Sequence, residues 1–319
     1  MMAASGSSPV IPPRFPSRRA GQVRIGISGW TYPPWRGVFY PPGLPHAKEL
    51  EFAAGRFRSI EINGTFYGLQ RPESFTAWAE RTPADFVFSV KAPRYITHML
   101  RLRNAEVPVA NFLASGVLLL GPKLGPLLWQ VPPNFAFRAD RLEPFLRGLP
   151  HDTLAAADVA RGHDARMNGR AWTQTDARRP LRHAMEIRHE SFRSPDFIEL
   201  LRHYNVALVC ADTVEWPRLM DVTSDFIYCR LHGSEQLYAS GYDDAALNAW
   251  ADRVAAWSQG SEPADAERIG GPARTRRRDV FVYFDNDMKV RAPADADGLV
   301  ERVTGRLHAA KNRAGSRNP

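Results

Sequence analysis

Nine polar residues, seven of them able to hold charge or move protons, recur at one kind of place in this 319-residue chain. Glu61, Lys91, Gln130, Glu186, Arg188, Asp212, Arg230, His232 and Asn286 each close, or directly follow, a short apolar run. Glu186 and His232 are suited to acid–base work: a carboxylate among cations stays ionised, and an imidazole titrates near neutrality. Lys91, Arg188 and Arg230 are suited to clamping a phosphate or carboxylate, the arginines by bidentate contact. Glu186, His232 and Lys91 are therefore the candidate catalytic groups. Glu61, Asn63, Tyr67, Gln130, Arg188, Asp212, Arg230, Asn286 and Trp30 are candidates for substrate contact. Trp30, Tyr32, Trp35, Tyr40 and Tyr67 offer aromatic walls for a sugar or base.

The apolar runs that carry these residues are 23–28, 58–62, 86–90, 126–131, 183–187, 206–211, 226–231 and 280–285. Each is bounded by turn residues and alternates with helical patterning, which predicts eight parallel strands joined by right-handed crossovers. Ser194-Pro195-Asp196 reads as a helix start. Leu247, Trp250, Val254 and Trp257 form one helical stripe over 243–257, and Leu299, Val303 and Leu307 another over 295–310. The pattern fits an α/β fold, a single-domain (β/α)8 TIM-like barrel over 22–311. Residues 150–182 and 258–279 read as inserted or mobile segments, and 1–21 and 312–319 as disordered basic tails.

Strand side chains alternate between two faces, so parity sorts them. Bulky apolar residues such as Ile60 and Ile62, or Met185 and Ile187, must meet the helices. The opposite faces then look into the barrel, with polar members late in each strand, where barrel active sites are built. Glu61, Lys91, Glu186, Arg188, Asp212 and Arg230 are expected to form a balanced network of three negative and three positive charges, with His232 beside it. Charges placed there must be paired, because an isolated buried charge costs several kcal/mol, about the scale of total stability. His189 has the opposite parity from Glu186 and is expected to brace the rim.

Longer motifs carry a resemblance. IGISGWTYPPWRGVFYP (25–41), SIEINGTFYGLQRPESFTAWAERTP (59–83), FVFSVKAPRYITH (86–98), GPLLWQVPPNF (125–135), MEIRHESF (185–192), CADT (210–213), YCRLHGS (228–234) and YFDNDMKVRAP (283–293) resemble the YecE-like family, domain of unknown function 72. The resemblance runs from Val23 to about Leu307. It implies a TIM-like barrel and no established reaction. It places the family's characteristic polar residues on Glu61, Asn63, Tyr67, Lys91, His98, Gln130, Glu186, Arg188, His189, Asp212, Arg230, His232 and Asn286. Phe192 stands where the family pattern has tryptophan, and 150–182 is longer than the pattern.

Composition narrows the classes of function. The net charge of +8 and pI of about 9.8 make nucleic acid a possible partner, with Arg274, Arg276, Arg277 and Arg278 grouped in one loop. Further arginines, Arg14, Arg18 and Arg19, and Lys311, Arg313 and Arg317, lie toward the termini. No apolar run is long enough for a membrane span; Gly116–Leu128 is broken by Gly121, Pro122, Lys123 and Pro126. Two cysteines inside strand patterns, Cys210 and Cys229, fit a reducing cytoplasm rather than a disulfide framework. No glycine-rich nucleotide fingerprint follows a strand, so a Rossmann cofactor is unsupported and none is expected, while a divalent metal stays open. His98, Glu186, Asp212, His232 and Asp285 hold a metal-site inventory without local ligand spacing, and nearby arginines disfavour a divalent ion. The leading expectation is an enzyme acting on a small anionic, sugar-like or nucleotide-like molecule. Nucleic-acid binding, phosphodiester processing and a non-catalytic ligand-binding scaffold stay open, and the sequence sets no oligomeric state.

Overall fold

The computed structural model describes residues 21–233, 237–238, 240–286 and 289–315. Most of the two expected tails, residues 1–20 and 316–319, lies outside the described residues. Eight parallel strands close a barrel in sequence order: β1 (Val23–Ser28), β2 (Ser59–Ile62), β3 (Val87–Lys91), β4 (Leu124–Gln130), β5 (His183–Glu186), β6 (Ala207–Asp212), β7 (Phe226–Leu231) and β8 (Asp279–Phe284). The closing pair sets Ile25 opposite Val282 and Ile27 opposite Phe284. All eight strands fall within two residues of the boundaries predicted from the apolar runs.

Helices α1 (Glu49–Arg56), α2 (Gly64–Tyr67), α3 (Pro72–Glu80), α4 (Glu106–Ala114), α5 (Ala139–Arg147), α6 (Thr153–Ala160), α7 (Pro195–His203), α8 (Asp244–Gln259) and α9 (Arg291–Gly315) fill the crossovers. The outward strand faces, including Ile60, Phe88, Trp129, Met185, Cys229 and Val282, pack with the helices into the larger core. A smaller core fills the barrel itself: Leu128, Ala184, Ala207, Val209, Ala211, Phe226, Tyr228, Phe281 and Tyr283. Large aromatics on β7 and β8 face alanine and valine on β5 and β6, and together they plug the lower barrel. That plug forces the charged strand ends into the upper layer. Both cysteines are free and buried.

The two stretches beyond the minimal pattern are tied to the frame. In 150–182 the Asp152 carboxylate caps α6 by accepting from Ala155 N at 2.9 Å, and Asn111 on α4 exchanges two hydrogen bonds with Asp164. In 258–279 the Asp221 carboxylate accepts from the backbone of Ile269 and Gly270, while Arg278 donates to the carbonyls of Arg274 and Arg276.

One outward residue makes a prediction. His183 opens β5, accepts from Trp129 Nε1 on Nδ1 at 3.1 Å, and donates from Nε2 to the Pro150 carbonyl at 2.7 Å. Only the neutral ring satisfies both contacts. Burial, reinforced by His151, pushes its pKa down to about 3. The unfolded chain therefore takes up a proton below pH 6.5 while the folded one does not, so stability falls as pH drops from 6.5 toward 3. The slope is about 1.4 kcal/mol per pH unit for one proton. Urea unfolding across this range should show that slope reduced by one proton in His183→Gln; an unchanged slope would exclude His183 as the source.

Candidate functional site

The upper barrel is organised around one guanidinium. Arg230, from the inward face of β7, is fully buried with carboxylates on three sides. Its Nε and Nη2 donate to Glu61 from β2 at 3.1 and 2.9 Å. Its Nη1 donates to Glu186 Oε2 at 2.7 Å and Nη2 also to Asp285 Oδ2 at 2.8 Å. Glu61 takes further donors from Ser28 Oγ at 2.9 Å and the Tyr228 hydroxyl at 2.5 Å. Glu186 Oε1 accepts from Gln130 Nε2 at 2.6 Å and Arg188 Nε at 2.9 Å. Every carboxylate oxygen named here meets at least one donor, the condition under which a buried ionic cluster is tolerated.

The electrostatics follow from this wiring. Burial works against ionising Glu186, but Arg230, Arg188, His232 and Lys91 overcome it and hold the carboxyl well below its usual range. Asp285 is depressed in the same way, by Arg230 and His232 against burial. Burial would lower Arg230, yet Asp285, Glu61 and Glu186 raise it well above its ordinary value. Glu61, Glu186 and Asp285 thus balance Lys91, Arg188 and Arg230 in formal charge.

Three groups of the mouth keep open chemistry. Lys91 Nζ ends β3 over the Phe66 ring, 4.4 Å from its centroid, and makes no hydrogen bond or ion pair among the described residues. Burial, then Arg230, pushes its pKa down to about 8, against the pull of Asp285, Glu61 and Glu186. Arg188 lies 4.0 Å over the Trp216 ring; it uses Nε and Nη2 on Glu186, and Nη2 reaches the Tyr238 hydroxyl at 3.2 Å. Its Nη1 makes no hydrogen bond among the described residues. His232 is fully buried, with Nδ1 3.1 Å from Asp285 Oδ2 and Nε2 3.9 Å from Glu186 Oε2. Nδ1 is close enough to Asp285 to share a proton with it, whereas Nε2 has no hydrogen-bond partner among the described residues. Burial lowers the His232 pKa although Asp285 pulls it up, so the ring is neutral at pH 7.

The structure brings together Glu61, Lys91, Gln130, Glu186, Arg188, Arg230 and His232, and separates others from them. Asp212 is not an inward member. It shares the outward parity of Leu208 and Cys210, and its carboxylate accepts from Trp250 Nε1 on α8 at 2.9 Å and from Arg218 at 3.2 Å. Asn286 follows the outward parity of Val282 and Phe284, donating to Asp295 Oδ2 at 2.7 Å and the Ser240 carbonyl at 3.0 Å. Trp30 faces the helical layer, edge-on to Trp78 at 5.5 Å. The turn that sends it there needs Gly29, whose φ is +82° and where a Cβ would meet the Tyr32 hydroxyl at 2.8 Å. Trp35 and Tyr40 are likewise buried in loop packing rather than lining the mouth. Asn63 sits just before α2, with its Oδ1 buried and unbonded. Tyr67 is 75% exposed on the rim.

Parity reasoning omitted Asp285 from the inward charges, although Phe281 and Tyr283 share its face; it holds the third carboxylate position that had been expected of Asp212. Tyr228, two residues before Arg230 on the inward face of β7, is a donor to Glu61. His189 accepts from Ser191 N at 3.1 Å and so braces the rim. His98, edge-on to Phe66 at 5.1 Å, is pushed down to a pKa of about 4 by burial and by Arg188 and Lys91.

Phe66 also lines a cavity of ≈ 530 Å³ with Tyr67, Pro93, Tyr95 and Met99. A cavity of ≈ 590 Å³ lies instead among α4, α5 and α6, remote from the charged strand ends, so volume alone does not locate the chemistry. Among the described residues no group of three His, Cys, Asp or Glu side chains is placed to hold a metal ion. The carboxylates nearest that arrangement are already bonded to guanidinium groups. The basic loop Arg274–Arg278 precedes β8 and packs its Arg278 backbone against Gly21, before β1, which puts it at the end of the barrel opposite the mouth. No described helix is long and apolar enough to cross a membrane.

The sequence model described as protein of unknown function DUF72 matches residues 24–317. The chain belongs to the DUF72 family. Among curated DUF72-like relatives, UPF0759 protein YecE of Escherichia coli K12 is 33% identical over 138 residues, 43% of this chain and 48% of that protein. UPF0759 protein YunF of Bacillus subtilis is 29% identical over 137 residues, 40% of this chain and 46% of that protein. The chain thus spans about half the length of the curated relatives it matches. A crystal structure of a DUF72 family protein from Thermotoga maritima superposes with a TM-score of 0.66 at 23% identity, covering 89% of this chain and 99% of that one. One from Enterococcus faecalis gives 0.63 at 17% identity, covering 89% and 96%. These likenesses show the DUF72 fold to be the closed barrel described above.

Proposed function

We propose that the barrel mouth is the active site of an enzyme that binds a small anionic substrate and works on it by acid–base chemistry. The observation that carries this reading is His232: a wholly buried imidazole set between Asp285, 3.1 Å from its Nδ1, and Glu186, with no hydrogen-bond partner for its Nε2 among the described residues. A buried polar group left unbonded costs about 1–3 kcal/mol, so a structural histidine would be expected to find partners. Substrate atoms are the natural partners. Lys91 Nζ and Arg188 Nη1 supply the open donors for its negative charge, while Arg230, with all three nitrogens engaged, holds the carboxylates in place below them.

Calorimetric titration with inorganic phosphate, pyruvate and glyoxylate tests this. At least one should bind saturably, and Arg188→Ala should weaken it by about 10- to 100-fold, the loss of one charge-assisted hydrogen bond. No binding by the wild type, or equal binding by the variant, would remove the reading. The alternative of a nucleic-acid partner would use Arg274, Arg276 and Arg277 at the opposite end of the barrel, and so would leave this mouth without a role.

A further inference from the structure

Resting on the mouth being an anion-binding active site, we propose that Lys91 is an amine nucleophile that forms a Schiff base with a small carbonyl compound bearing a carboxylate or phosphate. The geometry that supports it is the absence of any counter-ion for this amine among the described residues. Glu61, Glu186 and Asp285 all lie in the same mouth, yet each is bonded to Arg230, and none comes within ion-pair distance of Lys91 Nζ. The Phe66 ring lies beneath the amine, edge-on to His98, and closes that side to water. A lysine whose task was to balance charge would be expected to contact one of the three carboxylates. A lysine kept apart, desolvated and beside another cation is the arrangement that frees an amine for attack.

Two further facts agree with that reading. The depressed pKa of about 8 leaves roughly a tenth of the amine unprotonated at pH 7, against far under a hundredth for an ordinary lysine. The chain also has only five lysines among its 42 basic residues, so arginine is its usual cation, and a bare charge at the end of β3 did not require lysine. Arginine cannot do this chemistry, because its guanidinium stays protonated.

The step balances without an oxidant or reductant. The neutral amine attacks the carbonyl carbon, a C–N bond forms, and the C=O π pair moves to oxygen, which takes the proton that the attacking nitrogen gives up. A second proton, supplied by solvent, lets that oxygen leave as water as the nitrogen lone pair closes a C=N bond, and the nitrogen, still bearing one hydrogen, carries the positive charge. The iminium then withdraws electrons from the adjacent carbon, where a C–H or C–C bond can be broken, and neutral His232 is the base available to the mouth. Arg188 Nη1 holds the carboxylate or phosphate.

The test is reductive trapping. The full chain is treated at pH 7.5 with pyruvate, glyoxylate or dihydroxyacetone phosphate, each with sodium borohydride, and peptides are mapped by mass spectrometry. The expected result is a reduced adduct on Lys91 with at least one probe. It should saturate with probe concentration and form at least tenfold faster than at Lys48, whose side chain is 58% exposed. No Lys91 adduct with any probe, while titration still shows Arg188-dependent binding, overturns the covalent step and leaves the anion site standing. Neither adduct nor binding overturns both. Labelling at Lys91 no faster than at Lys48 also overturns it, as ordinary amine reactivity. Lys91→Arg, checked for an unchanged unfolding transition, should lose all saturable labelling.

Discussion

Arg230→Met is expected to cost about 3–5 kcal/mol of folding stability at pH 8, the penalty for leaving a buried ion cluster without its counter-charge. The guanidinium donates to Glu61, Glu186 and Asp285, each from a different strand, so one side chain ties β2, β5 and the end of β8 to β7. Removing it leaves three carboxylates facing one another with only Arg188 and Lys91 as nearby positive charge. Like charges in a buried site raise one another's pKa. In the wild type the depressed Glu186 and Asp285 stabilise the fold above the unfolded carboxyl range, and that contribution is lost as pH falls through their folded values. In the variant the sign reverses, because protonation relieves repulsion. The gap between wild type and variant in urea unfolding should therefore narrow from pH 8 to pH 5.5. Arg230→Lys, with three donors on a compact charge, should fall between them. If Arg230→Met unfolds at the wild-type urea concentration at both pH values, the cluster does not hold the barrel together.

The barrel was legible in the sequence because its strands obey two local rules at once. Runs such as VRIGIS and FIYCRL are short, β-branched or aromatic, and flanked by turn residues. Their parity also separates a helix-facing set from an inward set. That parity placed Glu61, Lys91, Glu186, Arg188, Arg230 and His232 on one side, where the structure has them. Strict parity also puts Asp212 and Asn286 on the apolar face, and the structure has them there, bonded to Trp250 Nε1 and Asp295 of the helical layer; the error was to count them with the mouth on residue type. Asp285 was hidden for a different reason: its inward neighbours Phe281 and Tyr283 are the plug itself, and the strand reads as apolar on both faces. Trp30 required the positive φ of Gly29, a backbone feature that side-chain patterning does not report. The open donors of Lys91 and Arg188, and the unbonded Nε2 of His232, were beyond any reading of residue types. They depend on which donor reaches which carboxylate first.

Glu186→Gln separates the structural and chemical duties of that wiring, and its effects should be large on both. Every side-chain group at hydrogen-bond distance from Glu186 is a donor: Gln130 Nε2, two Arg188 nitrogens and Arg230 Nη1. A glutamine of the same shape must turn its own amide N–H₂ toward one of these, so a donor meets a donor and a buried guanidinium loses a charge partner. The expected loss is about 2–3 kcal/mol, the cost of an unsatisfied charged hydrogen bond. The same change alters the mouth's field. Glu186 raises the pKa of Lys91, opposing burial and Arg230. Removing its charge should move the pH profile of Lys91 acylation by acetic anhydride to lower pH. The mouth also gains one net positive charge, so phosphate should bind more tightly wherever Arg188 keeps its place over Trp216. Destabilisation with an unmoved Lys91 profile would mean that Glu186 only braces the barrel. A profile shifted downward would show that the carboxylate sets the reactivity of the amine.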